Sequence, residues 1–325
     1  MTHSIPTLLL DTDIGPDCDD AGAVAVLHAL ADLGLAHIAA AVCCTPDAAG
    51  AAALDAICAY YGRPNIPIGT NLPTASHLKP GWQKYNLYLA AHFPNRFQAQ
   101  PAPDAVRVFR QALATAPDAG VDLVSIGWFT NIANLMRSPP DDISPLGGAA
   151  LMEQKLRRIV SMAGCFDASR GAYNVGCPGE GIFDTERGEF NIISDLPAAQ
   201  YVVQNWVGEL LFCPFEAGAG ILTGQGLTNA QSPVYQAYAR YTEGDMRRSS
   251  WDLVTVYFAV CGERSHLPGR AQLFATSPPG QISLDAQGRS RFLPKPGGRQ
   301  RYITNTAADA EIAAVLEGLL CRGDA

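Results

Sequence analysis

What this chain has little of narrows it before any motif is read. Only 17% of its 325 residues are charged, and no run of Lys/Arg is longer than a pair such as Arg247-Arg248. With a formal net charge of −8, nothing offers a basic stripe to a phosphodiester backbone or an anionic bilayer, so neither nucleic acid nor a membrane is an expected partner. Long apolar runs are missing too. The most apolar stretch, Ala21 to Cys44, is interrupted by His28, Asp32 and His37 and cannot span a bilayer. No C-x-x-C pair occurs. Nine cysteines, an odd count at irregular positions, read as buried thiols in a reducing compartment rather than as disulfides or a zinc site. Met1 to Pro6 carry no basic stretch ahead of an apolar one, so a signal peptide is not expected and the chain reads as cytoplasmic.

Apolar residues, in contrast, make up 48%, enough for a sizeable core. They fall into alternating segments. Strand-like runs at Thr7–Asp11, Ala36–Cys44, Ile66–Ile68, Val121–Ile126, Arg158–Met162 and Leu210–Cys213 alternate with helix-like ones. The latter lie at Asp19–Leu33, Ala48–Tyr61, Pro103–Ala114, Thr130–Arg137, Pro197–Trp206, Pro233–Tyr241, Trp251–Cys261 and Ala307–Leu320. Such alternation predicts an α/β fold: a mainly parallel open sheet with helices on both faces, as one domain. Residues 70–103, rich in Pro, Gly and aromatics, read as a lid or binding loop. Residues 272–302 read as a small antiparallel β excursion near the C-terminus.

One segment stands apart. Asp11-Thr12-Asp13-Ile14-Gly15-Pro16-Asp17-Cys18-Asp19-Asp20 puts five carboxylates into one loop, where a strand hands over to a helix. In open α/β sheets, ligands bind at such carboxyl ends. Like charges at this density repel unless a cation or proton lies among them, and acidic oxygens suit Ca²⁺ or Mg²⁺ better than zinc. Other polar groups fall at strand ends or helix starts that a parallel sheet brings to the same crevice: Thr45-Pro46-Asp47, Gly127-Trp128-Phe129-Thr130-Asn131, Glu189-Phe190-Asn191 and Ser250-Trp251-Asp252.

On these residues the chain resembles the nucleoside hydrolase family, the Ca²⁺-dependent N-ribohydrolases typified by inosine–uridine-preferring enzymes. Asp11, Asp13, Gly15, Asp19 and Asp20 match its D-x-D-x-G-x-D-D signature with two extra residues. The resulting D-x-D-x-x-x-D-x-D-D form resembles that of a bacterial branch. Gly127–Asn131 matches its G-x-x-T-N element, Glu189–Asn191 its E-F-N element and Asp252 its late Asp. The resemblance implies that Asp13, Asp20 and Asp252 bind Ca²⁺ through carboxylates and Thr130 through its backbone carbonyl. Water and ribose hydroxyls would complete a shell of roughly 6–8 oxygens. It further implies that Asp11 orients these ligands, that Asp19 accepts from the 2′-hydroxyl, and that Glu189 and Asn191 hold the 3′ and 5′ side of the sugar. Asn174 is the one Asn where the family has another sugar contact. Asp13 would act as general base on a water held by the metal. The implied reaction releases ribose and a free base from a small-molecule nucleoside, in nucleoside catabolism or purine salvage, by a homodimer or homotetramer. The carboxylates suit an oxocarbenium-like state, in which positive charge grows at the anomeric carbon.

The leaving-group end departs from the family, which often carries His before the late Asp; here Trp251 stands there. A purine could instead leave stacked on Trp251, with Trp82, Tyr85 or Phe166 as a second ring and a proton taken from solvent. His77 and His92 are alternative proton sources. Asp47 either replaces a family Asn or caps the helix at Ala48.

Taken singly, these residues have plainer readings. Asp19 or Asp20 alone is a helix N-cap, Thr130-Asn131 a cap, Asp252 a first-turn acid, Glu189 a surface charge and Trp251 core packing. Asp17 has no role beyond a solvated loop position. A non-catalytic riboside-binding or sensory protein would keep the same Ca²⁺–ribose pocket without needing Asp13 as a base. A dehalogenase-type phosphatase also starts with D-x-D, but no Lys follows Lys155 until Lys295. An EF-hand fails because Pro16 and Gly22 occupy positions that require Gly and Glu.

Overall fold

Strand β1 (Thr7–Thr12) explains the sheet around it. Leu8 and Leu10 are buried in one apolar cluster and Leu9 in another, so both faces of the strand are covered. That is the position of a central strand in a parallel sheet. A computed structural model describes residues 5–71, 83–167, 188–263 and 272–323. After β1 come α1 (Asp19–Asp32), β2 (His37–Cys43), α2 (Ala48–Tyr60), β3 (Ile68–Thr70), α3 (Asn86–His92), α4 (Ala105–Thr115), β4 (Val121–Ser125) and α5 (Thr130–Arg137). The chain continues through α6 (Gly148–Lys155), β5 (Leu156–Met162), α7 (Phe190–Ser194), α8 (Leu196–Asn205), β6 (Glu209–Cys213) and α9 (Phe215–Gly218). Next are β7 (Leu222–Thr223), α10 (Pro233–Tyr241), β8 (Arg248–Ser249) and α11 (Trp251–Cys261). It closes with β9 (Phe274–Thr276), β10 (Gly280–Leu284), β11 (Ser290–Pro294), β12 (Gln300–Asn305) and α12 (Asp309–Leu320).

The main sheet runs β11-β10-β12-β6-β5-β4-β1-β2-β3. From β3 through β12 every neighbouring pair is parallel. Helices α1, α2, α10, α11 and α12 bury one face, and α4, α5, α6 and α8 the other. The antiparallel part expected near the C-terminus is present. β10 and β11 form a hairpin, and β9 lies antiparallel to β12. It is no separate excursion, because β12 pairs in parallel with β6 and so prolongs the main sheet. Helix α6 did not stand out in the sequence; its Gly-Ala-Ala start lacks an apolar stripe, and only Gly148, Leu151 and Met152 are buried.

Strand order places the crevice. The chain leaves β1 toward β2 and β3, then returns to β4 on the other side and proceeds to β5 and β6. β1 and β4 therefore flank the switch point where open α/β sheets bind ligands. Asp11 is in register with Ser125 of β4 and Val42 of β2, so the acidic loop and residues 126–129 leave the sheet side by side.

The described part of residues 70–103 is packed down. Tyr85 and Leu89 are buried, and Arg96 donates to Asp55 Oδ1 from Nε (2.9 Å) and Nη2 (2.5 Å). The remainder of that stretch, with His77 and Trp82, lies outside the described residues, as does Asn174. The eight cysteines within them are all free, and seven are buried. Among the described residues no helix is long and apolar enough to cross a membrane.

Gly127 lets the two central loops meet. A Cβ there would lie 2.6 Å from the Asp13 nitrogen and 2.7 Å from Cys44 Sγ. Gly127→Ala should therefore push the acidic loop off β4 and cost about 1–3 kcal/mol, as overpacking does. Urea unfolding checks this; a variant as stable as the parent would contradict the close approach.

Candidate active site

The loop after β1 is held by its own polar groups. Thr12 Oγ1 donates to Asp20 Oδ1 and accepts from the Ile14 nitrogen at 3.1 Å. Gly15 adopts φ +137°, and a Cβ there would meet Asn86 Nδ2 at 2.7 Å. Its nitrogen donates to the Tyr85 hydroxyl (3.1 Å), which donates to the Asp17 carbonyl (2.6 Å). Tyr85 is therefore a brace beneath the loop and not a stacking ring. Asp19 and Asp20 are not helix caps: Cys18 occupies the N-cap of α1, and no side chain caps it.

Four buried carboxylates converge here. Oxygens of Asp19, Asp20 and Asp252 lie within 4.8 Å of one another, and Asp13 lines the same cleft. Asp252, in the first turn of α11, donates its backbone nitrogen to Asp19 Oδ2 at 3.1 Å. Burial pushes Asp13 up to about 7, and the Asp17 charge adds to this. Burial, reinforced by neighbouring carboxylates, also holds Asp19, Asp20 and Asp252 well above the usual carboxylate range. Asp11 sits behind them, raised by burial, with Oδ1 accepting from Asn131 Nδ2 at 2.9 Å. Its Oδ2 is buried with no hydrogen-bond partner among the described residues.

Glu189 and Asn191 line the same cleft. Glu189 caps α7, accepting from the nitrogens of Asn191 (2.8 Å), Ile192 (3.3 Å) and Gly164 (3.2 Å). Burial raises it to about 7 against these three bonds, so it is no surface charge. Asn191 Nδ2 donates to the Met162 carbonyl at 3.1 Å, fixing its side chain at the end of β5. Thr130 is not brought to the cleft. It opens α5, and its hydroxyl donates to Asp195 at 2.5 Å; Ile126 is the residue of that loop lining the cleft. Asp47 caps α2 through the Ala49 nitrogen (2.9 Å) and accepts from Asn86 (2.5 Å).

The other end of the cleft is aromatic. Trp251 lines it with Phe215 and Tyr241. The Trp251 and Phe215 rings are 5.2 Å apart, and Trp251 Nε1 donates to the Phe215 carbonyl at 2.9 Å. Phe166 instead stacks on Tyr302, and His92 on Tyr88. Among the described residues no histidine lines the cleft.

Two residues differ from the sequence expectation. Asp17 is not merely solvated: it accepts from Arg248 Nε at 2.9 and 3.0 Å and also from Nη2. Arg248 itself was overlooked. It lines the cleft with its guanidinium 4.9 Å from the Trp251 ring and 5.2 Å from that of Tyr241. Burial works against its charge, but Asp17 outweighs that and holds its pKa above the usual value. A signal existed in the unassigned fifth carboxylate, which needed a cation, and in an Arg four residues before Asp252.

The donor set fits a hard divalent cation. Every convergent group is a carboxylate oxygen, all are buried, and the cleft's one described cation is already committed to Asp17.

Known structures and sequences agree with this architecture. The chain is similar in fold to a plant nucleoside hydrolase, the PpNRh1 enzyme, at 18% identity and TM-score 0.68, covering 98% of this chain and 100% of that one. It is similar to an inosine-guanosine nucleoside hydrolase at 18% identity and TM-score 0.68, covering 97% and 98%. The type III effector protein XopQ, complexed with adenosine diphosphate ribose, is likewise similar at 17% identity and TM-score 0.66, covering 99% and 96%. No curated protein sequence matches the chain. The family model for inosine-uridine preferring nucleoside hydrolases matches residues 8–277, which include every carboxylate of the cluster. The chain belongs to that nucleoside hydrolase family.

Proposed function

We propose that this protein is a Ca²⁺-dependent nucleoside N-ribohydrolase that releases ribose and a free base. The observation that carries this reading is the buried cluster of Asp13, Asp19, Asp20 and Asp252 at the sheet's switch point, beside Glu189 and Asn191. Asp13, Asp20 and Asp252 would hold the cation, with Asp19 shared between it and the sugar. Ile126, which lines the cleft, is a better source of a backbone carbonyl ligand than Thr130. A bound Ca²⁺ supplies charge that fixes ribose hydroxyls and makes a nearby water more acidic.

The chain's own residues do the rest. Glu189 and Asn191 hold the hydroxyls on the far side of the ring. Asp11, fixed by Asn131, keeps the strand end and its carboxylates in place. As the C1′–N bond breaks, its electron pair leaves with the base and positive charge grows on the ring. The surrounding carboxylates stabilise that charge. The water oxygen bonds to C1′ and its proton passes to Asp13. Trp251 and Phe215 offer the base an aromatic surface at the opposite end.

A riboside-binding protein with the same pocket is the second reading. It is favoured by the absence of histidine from the described cleft residues and by the likeness to an effector bound to adenosine diphosphate ribose.

A reducing-sugar assay over a nucleoside panel separates the two. Ribose release that falls about 10²–10⁴-fold in Asp13→Ala, the range for loss of a general base, supports hydrolysis. No release from any riboside, with ribose still bound, favours the binder.

The cation can be tested apart from activity. Burial raises Asp13 and Glu189 to about 7, so the folded protein binds protons that the unfolded chain has lost. Metal-free stability should therefore be full below about pH 4 and decline as pH rises to about 7. Ca²⁺ needs the ionised groups, so its effect should grow over the same window. At about 100 times Kd it should add roughly 2.7 kcal/mol at pH 8, several degrees in Tm, and little at pH 5. A Tm shift of equal size at both pH values would count against a carboxylate-held cation.

A further inference from the structure

The cleft has two chemically different ends, and Arg248 belongs to the one the family resemblance left unassigned. Its Nε and Nη2 face Asp17. Nη1 makes no hydrogen bond among the described residues, and a guanidinium so paired still has an Nη1/Nη2 edge, which carries donors only. The guanidinium carbon lies 4.9 Å from the centroid of the Trp251 ring, and Arg248, Trp251 and Phe215 line the same end of the cleft. Trp251 is itself locked by its bond to the Phe215 carbonyl, so platform and cation are held in one arrangement.

We propose that Arg248 makes this site selective for 6-oxopurine ribosides, such as inosine and guanosine, by donating to O6 and N7 of the departing base. The proposal rests on the hydrolase reading above and adds its substrate class. A donor-only fork needs two adjacent acceptors. Hypoxanthine and guanine present O6 and N7 together, which is the bidentate match for Arg. Adenine offers N7 but sets an amino donor at position 6, cytosine presents an amino donor, and uracil offers O4 without a neighbouring ring acceptor. The same contact serves the chemistry. When the C1′–N9 pair moves onto the purine, negative charge spreads to N7 and O6, where the guanidinium stabilises it until solvent supplies a proton. No histidine is then required at the position of Trp251. Asp17 acts as a positioning residue, holding the fork from its other edge.

The test compares kcat/KM for inosine, guanosine, adenosine, purine riboside, uridine and 4-nitrophenyl riboside in wild type, Arg248→Met and Arg248→Lys, with Ca²⁺ present. Wild type should favour inosine and guanosine over adenosine and purine riboside by about 10–100-fold. Arg248→Met should erase that ratio, and its loss on inosine should exceed its loss on 4-nitrophenyl riboside at least tenfold. That phenol leaves without help from an arginine. Arg248→Lys, with charge but no fork, should restore only part of the ratio. Wild-type preference for adenosine or uridine would overturn the proposal. So would an equal loss on every substrate in both variants, which would make Arg248 a clamp on the acidic loop and nothing more. If wild type fails even with 4-nitrophenyl riboside, the hydrolase reading itself falls and takes this inference with it.

Discussion

Buried carboxylates that repel one another are the constraint around which this molecule is arranged. Taking one ionised carboxylate from water is costly, and a cluster of them is tolerated only when a proton, a hydrogen bond or a cation offsets each charge. The surrounding structure supplies such offsets one by one. Thr12 donates to Asp20, the Asp252 nitrogen to Asp19, Asn131 to Asp11 and Arg248 to Asp17. What remains, centred on Asp13, Asp20 and Asp252, still has raised pKa values because burial outweighs the bonds available. Groups that hold a proton this strongly are ones whose ionised form a divalent cation would stabilise. Their burial is also a standing cost to the fold, which a stable domain can bear because both faces of β1 are packed.

Position in the sheet decides which residues share that cost. Strands β1 and β4 pair in parallel while the chain proceeds from them to opposite sides of the sheet, so their loops meet side by side at the switch point. Gly127 permits the contact, because no side chain fits between it and the Asp13 backbone. β5 contributes Met162, which anchors Asn191, and α11 contributes Asp252 from its first turn. Pieces of chain far apart in the sequence thereby reach one cleft.

Much of this was legible in the sequence, for a physical reason. Strands buried on both faces read as unbroken apolar runs, and an acidic run at a strand-to-helix junction has few innocent explanations. Fold class and the five carboxylates of the acidic loop followed from those two features, whereas Glu189 and Asp252 followed only from the family resemblance. The contacts of Thr130, Asp17, Tyr85 and Arg248 did not. Each depends on a partner far along the chain: Asp195 for Thr130, Asp17 for Tyr85, and for Arg248 a carboxylate 231 positions away. Spacing carries no trace of such pairings. Trp251 was an intermediate case. Its place before Asp252 marked it for the base end, yet its ring partner, Phe215, stood in a short helix whose packing only the folded chain reveals.

The acidic loop and the segment from Arg248 to Asp252 meet twice. Asp19 accepts from the Asp252 backbone at the carboxylate end, and Asp17 grips Arg248 at the aromatic end. Between these contacts stands Trp251, whose ring has the Arg248 guanidinium 4.9 Å and the Phe215 ring 5.2 Å away. The two segments are therefore tied together, with the carboxylate cluster at one end and the aromatic surface at the other. In a reaction that separates a sugar from its base, catalysis requires that both halves be held in fixed relation while the bond between them lengthens. A single loop that reaches both ends provides that relation directly.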